Sequence, residues 1–226
     1  MYWQDSKDSE NFVVPDDIVD MVYGIRCRSL PVDHAYALSQ AIQAALPWFA
    51  GEERAGVHAV HVAESGNGWM RPGDPNALLH LSRRTKLVLR VPKHRIDDAH
   101  RLTGQTLDIQ GNPLQIEKAS IRPLSDLTTL FARYIVTDGA DESAFLRDAL
   151  KQLNDMGVRP KKMLCGIEHV IRTPQRSIRA RSLMLAELTL PESVRLQQQG
   201  LGTERKLGCG LFIPHKDIKE LQQAAD

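Results

Sequence analysis

Two groups of residues in this chain have the types and spacing to do chemistry. The first is Gly200-Leu-Gly202-Thr-Glu-Arg205-Lys206-Leu-Gly208-Cys-Gly210, four glycines and an Arg-Lys pair directly before the apolar run Leu211-Phe212-Ile213-Pro214. Glycine has no Cβ, so its backbone reaches positive φ and its amides can approach a ligand closely. Successive amides form an anion-binding concavity, and Arg205 and Lys206 supply counter-charge for phosphate. The stretch is neither a Walker loop nor a dinucleotide fingerprint, because it lacks the Gly-Lys-Ser/Thr ending and a strand follows it. A glycine-rich turn before a strand also serves as a purely structural connection.

The second group is drawn from the eight histidines. Imidazole suits both proton acceptance and donation because its pKa lies near neutral pH. His34 follows Asp33, whose carboxylate suits a helix N-cap. The positive end of that helix would favour the neutral imidazole that a general base requires. An exposed first-turn histidine that only contacts phosphate fits the same position. His58 begins a strand, where it either faces a site or packs against a helix. His61 lies three residues on, so strand alternation turns it to the opposite face. Tyr36 and Ser39 are expected on the exposed side of the helix that Asp33 opens. His80, His94, His100, His169 and His215 read as surface residues.

These groups must be positioned by a chain of 226 residues, enough for one large domain or two of roughly 110. A hydrophobic content of 42% supports a packed core. No apolar run approaches the ~20 residues needed to cross a bilayer, and the N-terminus lacks the basic-then-apolar order of a secretory signal. A cytoplasmic protein with no membrane partner is expected. Cys27, Cys165 and Cys209 are too few and scattered for a disulfide framework or zinc site, so buried thiols, no metal and no cofactor are expected. The net charge is only +1, yet the charges are segregated. Residues 75–96 hold no carboxylate but carry Arg83, Arg84, Lys86, Arg90, Lys93 and Arg95; residues 169–186 likewise carry Arg172, Arg176, Arg179 and Arg181. Such segregation creates a local field that attracts a polyanion.

The pattern predicts strands at 18–28 and 57–64, with a helix over 34–49 between them. A strand at 85–91, a helix at 96–102 and short strands at 107–109 and 114–121 follow. That order, βαββαβ, is the ferredoxin-like unit. It then repeats: strand 129–136, helix 142–156, a hairpin of 161–172 and 175–188, helix 192–199, strand 211–214. The expected fold is α+β, two tandem ferredoxin-like units (residues 1–125 and 126–226), each an antiparallel sheet with helices on one face. Each acid-free basic run falls on the third strand of its unit. The glycine stretch becomes the last helix-to-strand connection.

Paired units of this kind, with a glycine-rich loop before the last strand, resemble the repeat-associated RNA-binding superfamily of CRISPR systems. The resemblance is closest to its precursor-CRISPR-RNA processing endoribonucleases, in particular the subtype first described in myxobacteria. It is carried by Leu30-Pro-Val-Asp-His34, Gly56-Val-His58, Ser65-Gly-Asn-Gly-Trp69, Leu81-Ser-Arg-Arg-Thr85, Ala180-Arg-Ser-Leu-Met184 and Gly200 through Lys216, which span nearly the whole chain. It implies metal-independent cleavage within each repeat, in which the ribose 2′-OH attacks the adjacent phosphate to leave a 2′,3′-cyclic phosphate and a 5′-OH. A base, an acid and cationic or N–H stabilisation of the phosphorane are then required. His58 and His34 are the expected catalytic residues, with Lys206 the best local match to a lysine that some relatives place near the phosphate. RNA binding is expected from Arg83, Arg84, Arg172, Arg176, Arg179, Arg181, Gly200, Gly202, Arg205, Lys206, Gly208 and Gly210. Trp69 could stack on an unpaired base. The implied partners are the repeat hairpin and its processed product, and other subunits of a type I surveillance complex. The alternative is a non-catalytic RNA-binding subunit of such a complex.

Overall fold

A computed structural model describes residues 12–61, 74, 77–138 and 141–215. In the first half, β1 (Ile18–Arg26), β3 (Gly56–His58), β5 (Lys86–Pro92), β6 (Thr106–Ile109) and β7 (Asn112–Pro123) form a five-stranded antiparallel sheet in the order β3-β5-β1-β7-β6. Short β2 (Ser29–Pro31) and β4 (Leu78–His80) pair separately. Without β6, an edge addition, the strand order is that of a ferredoxin-like unit. In the second half, β8 (Leu130–Val136), β9 (Lys162–Arg172), β10 (Ser177–Ala186) and β11 (Phe212–Pro214) form a four-stranded sheet in the order β11-β8-β10-β9, the same topology again.

The helices form where the sequence supplies caps and stops. The expected helix over 34–49 is broken at Pro47 into α1 (Ala35–Ala45) and α2 (Trp48–Gly51), as proline's missing N–H and ring clash dictate. Asp33 is not the cap: His34 holds that position, and Asp33 instead accepts from the backbone N–H and the guanidinium of Arg172. After α3 (Ile96–His100), α4 (Glu142–Asp155) is capped by Asp141, which accepts from the Ala144 amide at 2.8 Å. A reciprocal capping box between Thr189 and Glu192 opens α5 (Leu190–Gln199).

Each sheet buries one face under its helices. On β1, Val19, Met21, Tyr23 and Ile25 join Leu87, Leu89 and Val91 of β5 and Leu38 and Ile42 of α1. The second core gathers Leu130 and Ala132 with Leu183, Leu185, Phe145, Leu153 and Phe212. A third, smaller cluster spans the two halves: Ala35 of the first meets Tyr134, Ile178, Leu207 and Cys209 of the second.

The opposite face of the first sheet carries a buried ion pair. Asp20 and Arg90 are cross-strand partners, and Arg90 is only 1% exposed. Its Nε donates to Asp20 Oδ1 at 2.8 Å and its Nη2 to Oδ2 at 3.1 Å. Its Nη1 donates to the Gln197 and Phe212 carbonyls at 2.9 and 2.8 Å, in α5 and β11 of the other half. Arg122 donates to the same carboxylate at 3.1 Å. Arg90 belongs to the first acid-free basic run, yet its charge is consumed inside the protein. Burial alone would raise the Asp20 pKa, but Arg90, with His58 nearby, holds the carboxyl well below the usual carboxylate range.

Removing one partner of a buried pair leaves an uncompensated charge. Asp20→Asn is therefore expected to cost about 3–5 kcal/mol in denaturant unfolding at pH 7. Because the folded pKa is depressed, the carboxylate's contribution is complete above the unfolded value and fades as pH falls below about 4. Acid titration of thermal stability should show that loss in the wild-type chain and a flatter curve in the variant.

Candidate active site

The open faces of the two sheets meet at a cavity of about 200 Å³. From the first half it is lined by His58, Ala59, His61, Lys86, Val88 and Arg122, and from the second by Arg133, Tyr134, Gly208, Leu211 and Ile213. Strand β3 ends at His58, so alternation no longer governs the next residues. His61 therefore lines the same cavity as His58, although strand alternation predicted opposite faces.

His58 is largely buried, and its Nε2 lies 3.8 Å from Asp20 Oδ1, too far for a hydrogen bond. Burial pushes its imidazole below the ordinary histidine pKa; Asp20 opposes that shift, while Arg90 and Arg122 reinforce it. Burial thus favours the neutral ring, the form a general base needs. The His61 and Tyr134 ring centres are 6.2 Å apart, and His169 meets Tyr134 edge-on at 5.1 Å. Lys86, Arg122 and Arg133 give the cavity three cationic side chains, suited to phosphate and to the charge of a phosphorane.

His34, the other expected catalytic histidine, is in a different place. It is buried, with Nδ1 2.8 Å from the Pro31 carbonyl, while Nε2 accepts from the Val60 amide at 3.1 Å. An acceptor Nε2 fixes the tautomer, so Nδ1 carries the proton and donates to Pro31. The ring is a neutral staple between the start of α1 and the segment after β3. It holds the backbone that carries His58 and His61 rather than reaching substrate. Ser39, expected on the surface, is fully buried and accepts from Gln43, and Tyr36 packs beside the cluster that joins the halves. Trp69 and the Ser65–Gly68 turn lie outside the described residues.

The glycine stretch is also reassigned. The amides of Gly200, Gly208 and Gly210 donate to the carbonyls of Leu196, Arg205 and Tyr134, so none of the three is offered to a ligand. Gly210 (φ 71°) lies so close to Leu201 that a Cβ would sit 2.5 Å from its carbonyl oxygen. Gly208 (φ 88°) packs on the strand of His58: a Cβ there would be 3.1 Å from the Val57 oxygen and 3.2 Å from the Ala59 nitrogen. Only Gly202 sits at an exposed tip. Arg205 donates to the carbonyls of Gln198, Gln199 and Arg54, and Lys206 to those of Glu52 and Ala55, its ammonium 4.7 Å from the Phe49 ring centre. Burial lowers the Lys206 pKa to about 8. The loop is thus a buttress joining the second half to residues 52–59 of the first, and its two cations point inward.

The other expected RNA contacts remain at the surface, most of them engaged. Arg83 and Arg84 are exposed in the turn before β5. Arg172 bonds Asp33, Arg176 bonds Glu204, and Arg179 and Arg181 share Glu168, which faces them across the β9–β10 hairpin. Any phosphate binding these arginines must compete with a carboxylate. Of the three thiols, only Cys209 is fully buried.

Two ferredoxin-like units whose open faces meet at a histidine-containing cationic cleft define the repeat-associated protein architecture. Residues 19–217 match the family described as Cas6 Crispr. The chain is 30% identical over 197 residues to a Myxococcus xanthus (strain DK1622) protein described as CRISPR-associated endonuclease Cas6, spanning 87% of this chain and 81% of that one. The chain belongs to the Cas6 family. Among solved structures it resembles a CRISPR associated protein Cas6 at a TM-score of 0.61 and 11% identity, covering 88% of this chain and all (100%) of that one. It also resembles a protein titled an RAMP protein binding different RNA substrates at a TM-score of 0.59 and 12% identity, over 86% of this chain and 98% of that one. At these identities the likeness establishes the fold. Among the described residues no helix is long and apolar enough to cross a membrane.

If His34 and the glycines are structural, their variants should act on stability. His34→Ala strands the Val60 amide and is expected to cost about 1–3 kcal/mol. Gly210→Ala, at positive φ against a carbonyl, should cost at least as much. Thermal melts check both; a variant of either kind that melts like the wild type contradicts the assignment.

Proposed function

We propose that this protein is an endoribonuclease that cleaves precursor CRISPR RNA within its repeats, without a metal ion, by attack of the ribose 2′-OH on the adjacent phosphate. The products are a 2′,3′-cyclic phosphate and a 5′-OH, and the repeat hairpin stays bound. The observation that carries the reading is the cleft between the sheets, where two histidines and three cationic side chains line one cavity. Membership of a family with a relative described as an endonuclease gives independent support.

In this reading neutral His58 accepts the 2′-OH proton and His61 donates one to the leaving 5′-oxygen, roles for which imidazole is suited. Lys86, Arg122 and Arg133 stabilise the phosphorane as its charge grows. Asp20 keeps Arg122 aimed into the cleft through their 3.1 Å hydrogen bond. The residues of 1–125 supply both histidines, and those of 126–226 close the far wall. Arg83, Arg84 and the hairpin arginines hold the RNA stem by its phosphates.

The test is a single-turnover assay on labelled repeat RNA in EDTA. Clean cutting is expected, ending in a cyclic phosphate, with His58→Ala and His61→Ala each slower by at least about a hundredfold, the lower bound for a lost proton-transfer group. The acid limb of the pH–rate profile should lie below the ordinary histidine pKa of about 6.5, because burial depresses that of His58. Tight binding without cutting would make the protein a non-catalytic RNA-binding subunit.

A further inference from the structure

On the open face of the second sheet, away from the helices, one row of side chains is apolar. Register places Leu164 of β9 opposite Met184 of β10, Met184 opposite Phe131 of β8, and Phe131 opposite Ile213 of β11. Their strand neighbours Leu130, Ala132, Leu183, Leu185 and Phe212 point the other way, into the core under α4 and α5. Leu164 is 60% exposed, and Met184, Phe131 and Ile213 are partly so. An apolar row across four strands, partly exposed on the open sheet face, marks a contact surface.

The row does not end at random. Ile213 lines the cavity of His58 and His61, and so does Arg133, two residues after Phe131 on the same face. The Arg133 guanidinium lies over the Phe131 ring, 5.7 Å from its centre, and the His215 ring centre is 6.1 Å away at a tilt of 58°. The result is an aromatic ring beside a guanidinium and an imidazole, with its neighbours Arg133 and Ile213 both lining the cationic cavity. That combination matches one chemistry: a nucleobase lies against the aromatic ring while its phosphate meets the cations. A protein segment would satisfy the apolar row but would not account for its continuity with the cationic cavity.

Building on the nuclease reading, we infer that Phe131 is the stacking platform for an unpaired base of the RNA next to the scissile phosphate, with Met184 and Ile213 flooring the same subsite and Arg133 bridging base and phosphate. The subsite orients the nucleotide so that its 2′-OH and phosphate lie in line over the cavity. It selects for an unpaired nucleotide at that position, since a base held in a duplex has no free face to present.

The test uses repeat RNAs carrying 2-aminopurine singly at each unpaired position flanking the stem, with a 2′-deoxy substitution at the cleaved ribose so that binding is read without cutting. Wild-type protein should quench one position strongly through stacking. Phe131→Leu, which keeps the apolar volume and hence the fold, should lose that quench and bind roughly five- to a hundred-fold more weakly, while Phe131→Tyr keeps both. Single-turnover cleavage of the unmodified RNA should fall with Phe131→Leu and be retained with Phe131→Tyr. Equal quenching and affinity in Phe131→Leu overturn the subsite while leaving the nuclease reading intact. A wild-type protein that stacks the probe but never cuts sinks the nuclease reading and keeps the subsite. If Phe131→Leu changes only the oligomeric state in sedimentation, the row is a protein interface and the subsite is wrong.

Discussion

Arg90 donates hydrogen bonds into both halves of the molecule at once. Two donors grip Asp20 on the neighbouring strand, and a third reaches the carbonyls of Gln197 and Phe212. A guanidinium suits this role because its planar fork stays charged and aims several donors in fixed directions. Burying it is costly unless each bond is made. Every element it touches is thereby fixed relative to the others: β1 and β5 of the first sheet, α5 and β11 of the second. The cavity between the open faces inherits its shape from that constraint. Asp20 extends the same network to Arg122 and lies beside His58, so the ion pair both fastens the halves and sets the charge environment of the site.

The glycine loop is the second fastening. Its glycines let backbone pack on backbone, most consequentially where Gly208 meets Val57 and Ala59. His34 reaches the same segment through the Val60 amide. The histidines of the cleft are thus carried on a short piece of chain clamped between a loop of one half and a helix start of the other. Precision at the site comes from these supports.

The doubled βαββαβ order was legible because periodicity, caps and turn residues agree along most of the chain. The boundaries that moved did so for local reasons, as at Pro47, where the first helix breaks. The site was only partly legible. His58 could be named from its place at a strand start, whereas His61 was turned the wrong way because β3 stops after three residues. Arg205 and Lys206 look like phosphate ligands in one dimension, and only the fold reveals the Glu52 to Ala55 carbonyls waiting for them. Arg90 and Asp20 left a readable trace: each is a lone charge inside an apolar strand, and antiparallel register makes them opposite. Arg122, Arg133 and Tyr134 gave no such sign, since their proximity exists only once two distant sheets face each other.

The long reach of Arg90 has a consequence for how the chain comes into being. Its partner Asp20 is already synthesised when Arg90 emerges, but the carbonyls of Gln197 and Phe212 are made more than a hundred residues later, as their separations of 107 and 122 record. Until those residues emerge, Nη1 of Arg90 lacks the two carbonyls it bonds in the folded chain. The wall that Leu211 and Ile213 give the cleft arrives only with β11, so a chain stopped before that strand cannot form the cavity.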